Sequence, residues 1–368
     1  LSTRKAIELK PDQAKLHYAL GGILIHLKKL KEAELAFIQA ISLKEDYIDS
    51  YHILASLQTN SGQLDNAMIT IQKAIKKNPY CSTSFLILGD IYLSNNVSDI
   101  RARTAIEKAI ELNPKSGTAY LNLISCVDNI EEAEKLAHKA LSLNKDLKKA
   151  NEILDSLRLH NLENNFINTL KENNYKNPIY QKFKWIAGLD KMPYLFFNRQ
   201  SIFNKIISYS KKDRPFYEFG VFDGEGSFKY LMNIFKVGYG FDTFSGLPEA
   251  WNGKEKNTYS ANGVIPDIEG GTFISGRFEE TLPIFFRENR PIASLINFDC
   301  EHTSSTKCAL VNSKSIIDDH TILVFDSLIT NRDWLEVINL FCSENNFNYE
   351  VLAISYLSQT IALKFIKR

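Results

Sequence analysis

Cysteine, long apolar runs and an excess of charge of either sign are all scarce in this 368-residue sequence. The five cysteines are odd in number and include no Cys-x-x-Cys pair, which argues against a disulfide framework or a zinc site. No apolar run approaches the ~20 residues that a membrane-spanning helix needs. The formal net charge of +1 disfavours a large, positively charged binding surface for nucleic acid or an anionic membrane. We therefore expect a soluble cytoplasmic protein.

The first half contains an internal repeat. Its turn positions recur at intervals of 34, 34, 35 and 31 residues, and alanines five residues before them keep the same intervals. A second series of alanines stays in phase with the first. Two independent series rarely keep a common phase by chance. The turn positions are Pro11, Glu45, Pro79, Pro114 and Lys145; the first alanine series is Ala6, Ala40, Ala74, Ala109 and Ala140; the second is Ala33, Ala67, Ala102 and Ala133.

This spacing predicts stacked helix–turn–helix units over residues 1–150, because two short helices cannot bury their apolar faces alone. Alanine suits positions where helices cross closely, as do Gly21, Ala55 and Gly89 in the first helix of each unit. The pattern resembles the tetratricopeptide repeat, an all-α solenoid that commonly binds peptides or proteins. The segment before Pro11 resembles the end of an earlier repeat, so we expect the array to extend upstream. A structural or homo-oligomerising role is the alternative to a protein partner.

Residues 151–212 lose the repeat period and predict a helical joining region, with breaks at Pro178 and Pro193. Aromatic residues are concentrated here. They either dock the array against the second domain or cover its ligand site, and docking is favoured because aromatic stripes are more often core. The aromatics are Phe183, Trp185, Tyr194, Phe196 and Phe197.

Short apolar segments alternate with helical segments over residues 213–368. The pattern predicts an α/β Rossmann-like domain: seven strands in a largely parallel sheet with helices on both faces, and an antiparallel strand at the end. Ligands bind beyond the carboxyl ends of the strands in open sheets of this kind. Four acidic residues fall at such ends: Glu218, Asp242, Asp299 and Asp326.

The turn after the first of these strands has the order Gly-x-x-x-Gly-x-Gly, formed by Gly220, Gly224 and Gly226. Glycine allows a backbone to approach a ligand closely. The order differs from the Gly-x-Gly-x-x-Gly of dinucleotide enzymes, and no basic residue lies in the turn, which favours a ligand without phosphate. A tight turn without a ligand is the alternative. Asp242 ends the next strand, where an acid either binds a ribose diol or caps a turn.

Five segments in this order resemble the macrocin O-methyltransferase family and its bacterial relatives: YEFGVFDGEGSFKYL, GYGFDTFSGLPEAW, SGRFEETLP, INFDCEHTSST and ILVFDS. The resemblance covers residues 213–366 and implies the seven-stranded fold of class I methyltransferases with S-adenosylmethionine as cofactor. It implies that the cofactor is held by Glu218, Gly220, Gly224 and Asp242, with Arg277 and Phe278 near the adenine.

Members of this family often bind magnesium through acids that follow two neighbouring strands. By resemblance Asp299, Glu301 and Asp326 match three of these acids, and Ser327 replaces the fourth. Magnesium prefers oxygen ligands and would lower the pKa of a sugar hydroxyl bound to it. Either Glu301 or His302 is then the candidate general base.

The resemblance therefore implies an S-adenosylmethionine-dependent methyltransferase that acts on a hydroxyl of a small-molecule or glycan acceptor, with the array recruiting a protein partner. The alternative is a methyltransferase-like binding or scaffold protein without activity, which the loss of an acid at Ser327 favours. A nicotinamide-dependent oxidoreductase is disfavoured because the Gly-x-Gly-x-x-Gly motif is absent.

Overall fold

A computed structural model describes residues 2–95, 100–173, 177–247, 249, 256–300, 302–326, 333–357 and 359–367. The first half is an array of antiparallel helix pairs, as the repeat predicts. Among the described residues, no helix combines the length and apolarity needed to cross a membrane. The helices are α1 (Ser2–Leu9), α2 (Ala14–His26), α3 (Leu30–Leu43), α4 (Ile48–Asn60), α5 (Leu64–Lys77), α6 (Ser82–Asn95), α7 (Ile100–Leu112), α8 (Gly117–Leu123), α9 (Ile130–Leu143) and α10 (Lys148–His160).

The small residues of the repeat lie where neighbouring helices touch. In α3, α5, α7 and α9 the alanines of both series are fully buried. A Cβ added to Gly21 would lie 2.6 Å from the ring of Phe37, and one added to Gly89 would lie 2.5 Å from Ile106. The close approach of the paired helices therefore excludes larger side chains, and the predicted helix–turn–helix stacking is confirmed.

The joining region contains three helices and one strand: α11 (Asn164–Glu172), α12 (Pro178–Ile186), β1 (Tyr194–Phe196) and α13 (Arg199–Ile207). The predicted division at residue 150 falls inside α10. Strand β1, expected as helix, follows Pro193, which disfavours helix in the residue before it and cannot donate a helical hydrogen bond. Leu195 and Phe197 are buried among the last array helices, in a cluster that contains Ala137 and Ile153. The expectation that joining-region aromatics dock the array holds for Phe197.

The second half is a mixed sheet flanked by helices. Its remaining strands are β2 (Phe216–Phe219), β3 (Gly238–Asp242), β4 (Gly271–Ser275), β5 (Leu295–Phe298), β6 (Ile322–Phe325), β7 (Phe347–Ser355) and β8 (Thr360–Lys367). The helices are α14 (Ser227–Met232), α15 (Phe278–Phe285), α16 (Thr303–Asn312) and α17 (Asp333–Asn345).

The strand order is β1-β7-β8-β6-β5-β2-β3-β4, with β8 antiparallel to both of its neighbours. The seven predicted strands are present, but the sheet has eight because β1 pairs in parallel with β7. The expectation of seven strands was wrong at this edge. Without β1, the outer N–H and C=O groups of β7 would have no strand partner, and open edges of this kind invite unwanted pairing.

Candidate ligand-binding cleft

A cleft of about 910 Å³ opens at the carboxyl ends of β2, β3, β5 and β6. Along the chain, β2, β3 and β4 follow one another to one side of the sheet, and β5 then pairs on the other side of β2. This reversal lies between β2 and β5, and open α/β sheets bind ligands at such a reversal. The volume falls within the roughly 300–1,000 Å³ of small-molecule sites.

The glycine turn after β2 forms part of the cleft wall, and its three glycines differ in role. Gly220 has φ +93°, and a Cβ there would collide with the carbonyl oxygen of Asp299. A Cβ at Gly224 would lie 3.0 Å from Pro266. Gly226 lines the cleft and has no atom within 4 Å of an added Cβ. Gly220 and Gly224 therefore serve chain packing, and Gly226 alone leaves open space toward a ligand.

Asp242 lies at the end of β3 and braces the neighbouring turns. One carboxylate oxygen accepts the backbone N–H of Phe222 and the other that of Phe244, each at 2.8 Å. Burial raises the pKa of Asp242, while the backbone donors oppose this shift. A carboxylate has about four lone-pair positions, so Asp242 can hold these turns and still accept a hydrogen bond from a ligand.

Glu218 lies beneath the cleft in β2 and is 1% exposed. One of its oxygens accepts a 2.6 Å hydrogen bond from the hydroxyl of Ser227, and the other has no hydrogen-bond partner among the described residues. Burial raises the pKa of Glu218 to about 8, against the lowering effects of Ser227 and Arg199. The carboxyl group is therefore mainly protonated at neutral pH.

Arg199, at the start of α13, reaches the two carboxylates that the sequence suggested as metal ligands. Its guanidinium donates to Asp299 at 2.9 Å and lies 3.2 Å from Asp326. Burial lowers the pKa of Arg199, but the carboxylates of Asp299, Asp326 and Glu218 outweigh burial and raise it above the ordinary arginine value. A permanently charged guanidinium thus bridges the ends of β5 and β6.

The turns of the array form the opposite wall of the cleft. The cleft-lining array residues come from the α4–α5 turn and the helix ends beside it, from the end of α6 and from the short 3-10 helix that follows α8; they are Thr59, Asn60, Gly62, Leu64, Leu93, Ser94 and Ser125. A Cβ at Gly62 would lie 2.9 Å from the ring of Tyr259, whose centroid is 6.2 Å from that of Phe222. The array therefore takes part in the cleft and is more than a separate partner-binding surface.

The other predicted site residues divide into three groups. His302 precedes α16, lines the cleft and is 9% exposed. Arg277 and Phe278 line it at the start of α15, and the ring of Phe278 meets that of Phe219 edge-on. Glu301 and Ser327 lie outside the described residues.

Sequence reasoning missed Arg199 and the array turns. A single arginine in an aromatic, amphipathic joining segment has no pattern of its own, and none of the five family-like segments covers it. The available signal was the order Asn-Arg-Gln-Ser, because Asn198 accepts the backbone N–H of Ser201 and so starts α13. Asparagine is among the residues preferred at the start of a helix.

Comparison with known proteins identifies the repeats. Residues 14–47 and 48–81 match the family model described as tetratricopeptide repeat. Protein O-mannosyl-transferase TMTC1 of Homo sapiens is 27% identical over 124 residues, which is 33% of this chain and 14% of that protein. Protein O-mannosyl-transferase TMTC3 of Homo sapiens is 26% identical over 159 residues, 38% of this chain and 17% of that protein. The chain thus spans less than a fifth of these relatives.

Two solved structures are similar to part of this chain. The protein titled as Pseudomonas aeruginosa pilF gives a TM-score of 0.41 at 17% identity, covering 50% of this chain and 86% of that one. A thermophilic tetratricopeptide protein of Thermus thermophilus, TTC0263, gives 0.39 at 17% identity, covering 47% and 98%.

These relatives contradict the prediction that the chain is an S-adenosylmethionine-dependent methyltransferase. The curated proteins that match are named O-mannosyl-transferases, a class that transfers a sugar in place of a methyl group. The tetratricopeptide part of the prediction is confirmed by the family model. The residues that line the cleft stay predictions for binding, without a role in methyl transfer.

Proposed function

We propose that this chain is an interaction protein whose α/β domain binds a small polar ligand in the cleft beneath the array. The observation that carries the proposal is the position of the cleft: it lies where the strand order reverses and is completed by array turns on its far side. A ligand in this cleft contacts both halves of the chain. Binding would therefore stabilise the folded arrangement in which the array and the sheet domain are in contact.

The ligand class that suits this cleft is a nucleoside without phosphate, with S-adenosylmethionine as the first candidate. Gly226 leaves open space at the glycine turn, which a flat or branched group can enter. Asp242 supplies carboxylate lone pairs at the end of β3, where a ribose diol could donate. The partly buried ring of Phe278 offers an apolar face further along the same wall. No catalytic step is assigned to the bound nucleoside.

The array is proposed to bind a protein partner. Tetratricopeptide repeats stack into extended surfaces, and such surfaces commonly bind other chains. Ile23 of α2 is 43% exposed, Leu27 directly after α2 is 62% exposed, and Leu35 of α3 is 67% exposed. Apolar side chains in neighbouring helices of one array supply contact area for a partner.

Calorimetric titration of the full chain with S-adenosylmethionine, S-adenosylhomocysteine and adenosine tests the ligand proposal. We expect saturable binding, weakened in Asp242→Ala by about 1–3 kcal/mol because a buried polar contact is lost. Asp319→Ala is the matched control, since Asp319 is exposed and precedes β6, at the amino end of a strand whose carboxyl end faces the cleft. Absence of heat with all three compounds on folded protein, or equal affinity of the two variants, would contradict the proposal.

A second candidate function is participation in sugar transfer, favoured by the name of the curated relatives. It is tested by ligand-observed NMR with methyl α-mannoside. The candidate is supported if the full chain transfers saturation to the mannoside and the cleft variant Tyr259→Ala does not. Transfer that is absent, or unchanged in the variant, would remove this candidate.

A further inference from the structure

We propose that the guanidinium of Arg199 is the resident cation of the cleft, and that it occupies the position between Asp299 and Asp326 that a divalent metal would need. Two carboxylates at the ends of neighbouring parallel strands repel one another unless a cation lies between them. In this chain that cation is supplied by α13. The role of Arg199 is independent of which ligand enters the cleft.

The first argument is the use of the carboxylate oxygens. One oxygen of Asp326 faces Arg199 at 3.2 Å and the other accepts a 2.6 Å hydrogen bond from Thr360. One oxygen of Asp299 accepts from Arg199 at 2.9 Å. Magnesium takes oxygen ligands at about 2.0–2.1 Å and requires near-octahedral geometry. Three of the four oxygens of these two carboxylates already have partners, so too few remain for such a metal shell while Arg199 is in place.

The second argument is the fixed position of Arg199. Its side chain is 16% exposed, and its guanidinium lies 5.4 Å from the ring centroid of Phe203 one turn further along α13. A buried guanidinium with two carboxylate partners is costly to remove, because the partners then keep uncompensated charge. The side chain therefore does not leave the carboxylates to make room for a metal.

The third argument is that the array holds the start of α13. The side-chain amide of Asn198 donates to the backbone oxygen of Val127 at 3.2 Å and to Asp128 at 3.1 Å. The hydroxyl of Ser201 donates to the same carboxylate of Asp128. Arg199 lies between these two anchors, so the guanidinium is positioned from the array side as well as from the sheet side.

Manganese binding, measured by loss of the free-ion electron paramagnetic resonance signal, tests this assignment. Wild-type chain is expected to leave the signal unchanged. Arg199→Gln should bind at least tenfold more tightly than wild type, and adding Asp299→Asn should remove the gain. Arg199→Lys keeps a cation and should behave as wild type. Arg287→Gln removes the same charge at an exposed residue that does not line the cleft, and it should also behave as wild type.

Equal manganese affinity of wild type and Arg199→Gln, whether strong or undetectable, would overturn the assignment. If Arg199→Gln does not fold, wild type and Asp299→Asn decide the question through thermal melting with and without manganese. An unchanged melting temperature in both proteins supports a resident guanidinium. A manganese-dependent rise in wild type that Asp299→Asn abolishes would show that the carboxylates are free for a metal.

Discussion

Replacing Glu218 by glutamine should change how the stability of the sheet domain depends on pH. Glu218 is buried in β2, and Asn297 faces it in register on β5. Its pKa is raised from 4.5 to about 8, chiefly by burial. An acid whose folded pKa exceeds its unfolded value contributes stability that is fully present below about pH 4.5 and is lost as the pH rises through about 8. Glutamine mimics the protonated carboxyl and carries no such dependence.

The size of the effect follows from the same two pKa values. One pKa unit corresponds to about 1.4 kcal/mol of differential interaction. Between about pH 5 and pH 7 the unfolded carboxyl ionises while the folded one stays protonated, so wild type loses roughly 2–3 kcal/mol through this group alone. Glu218→Gln should therefore gain roughly 2–3 kcal/mol relative to wild type over the same interval.

Urea unfolding followed by circular dichroism at several pH values measures this difference. Glu280→Gln is the control, because it makes the same chemical change at a glutamate that is exposed on α15. The difference between Glu280→Gln and wild type should stay nearly constant with pH. Parallel pH profiles of Glu218→Gln and wild type would refute the reasoning and would mean that Glu218 is ionised when folded.

Two neighbouring glycines of α2 should respond in opposite directions. Gly21→Ala places a methyl 2.6 Å from an aromatic ring of α3 and should destabilise the array by about 1–3 kcal/mol. Gly22→Ala meets no atom within 4 Å and should stabilise the array by about 0.5–1 kcal/mol. A thermal melting temperature of Gly21→Ala at or above that of Gly22→Ala would contradict the close contact between α2 and α3. Gly62→Ala and Gly263→Ala both change a glycine at φ +76°, but only the first brings a Cβ against Tyr259. Ligand affinity should therefore fall in Gly62→Ala and not in Gly263→Ala. Equal affinities of the two variants by calorimetry would mean that the array turn at Gly62 does not contribute to ligand binding.

The array and the seven strands could be predicted because their signals are local and repeated. Alanine and glycine recur where helices touch, as at Gly21 and Gly89, and each strand is a short apolar run bounded by turn residues. The acidic ends of the strands were also visible, and Asp242, Asp299 and Asp326 all line the cleft. Their positions follow from the parallel arrangement alone, since parallel strands bring their carboxyl ends to one edge.

What the acidic residues do could not be predicted, because it depends on partners far away in the sequence. Asp299 and Asp326 suggest a metal, but nothing in the sequence shows that Arg199 from the joining region contacts both of them. Asp242 suggests a ligand contact, yet its two oxygens first satisfy backbone N–H groups of Phe222 and Phe244. The resemblance to a methyltransferase family likewise described only one half of the chain and led to a wrong prediction of activity.

Strand β1 also sets the order in which this molecule can be completed during synthesis. Tyr194 pairs with Ala353, which a ribosome adds only after every strand from β2 to β6 has been made. Pairing between such distant segments is slow, because a long loop must close before any hydrogen bond forms. A nascent chain that already carries a folded array and strands β2 to β6 must therefore keep β1 unpaired, and the hydrogen bonds between β1 and β7 form late.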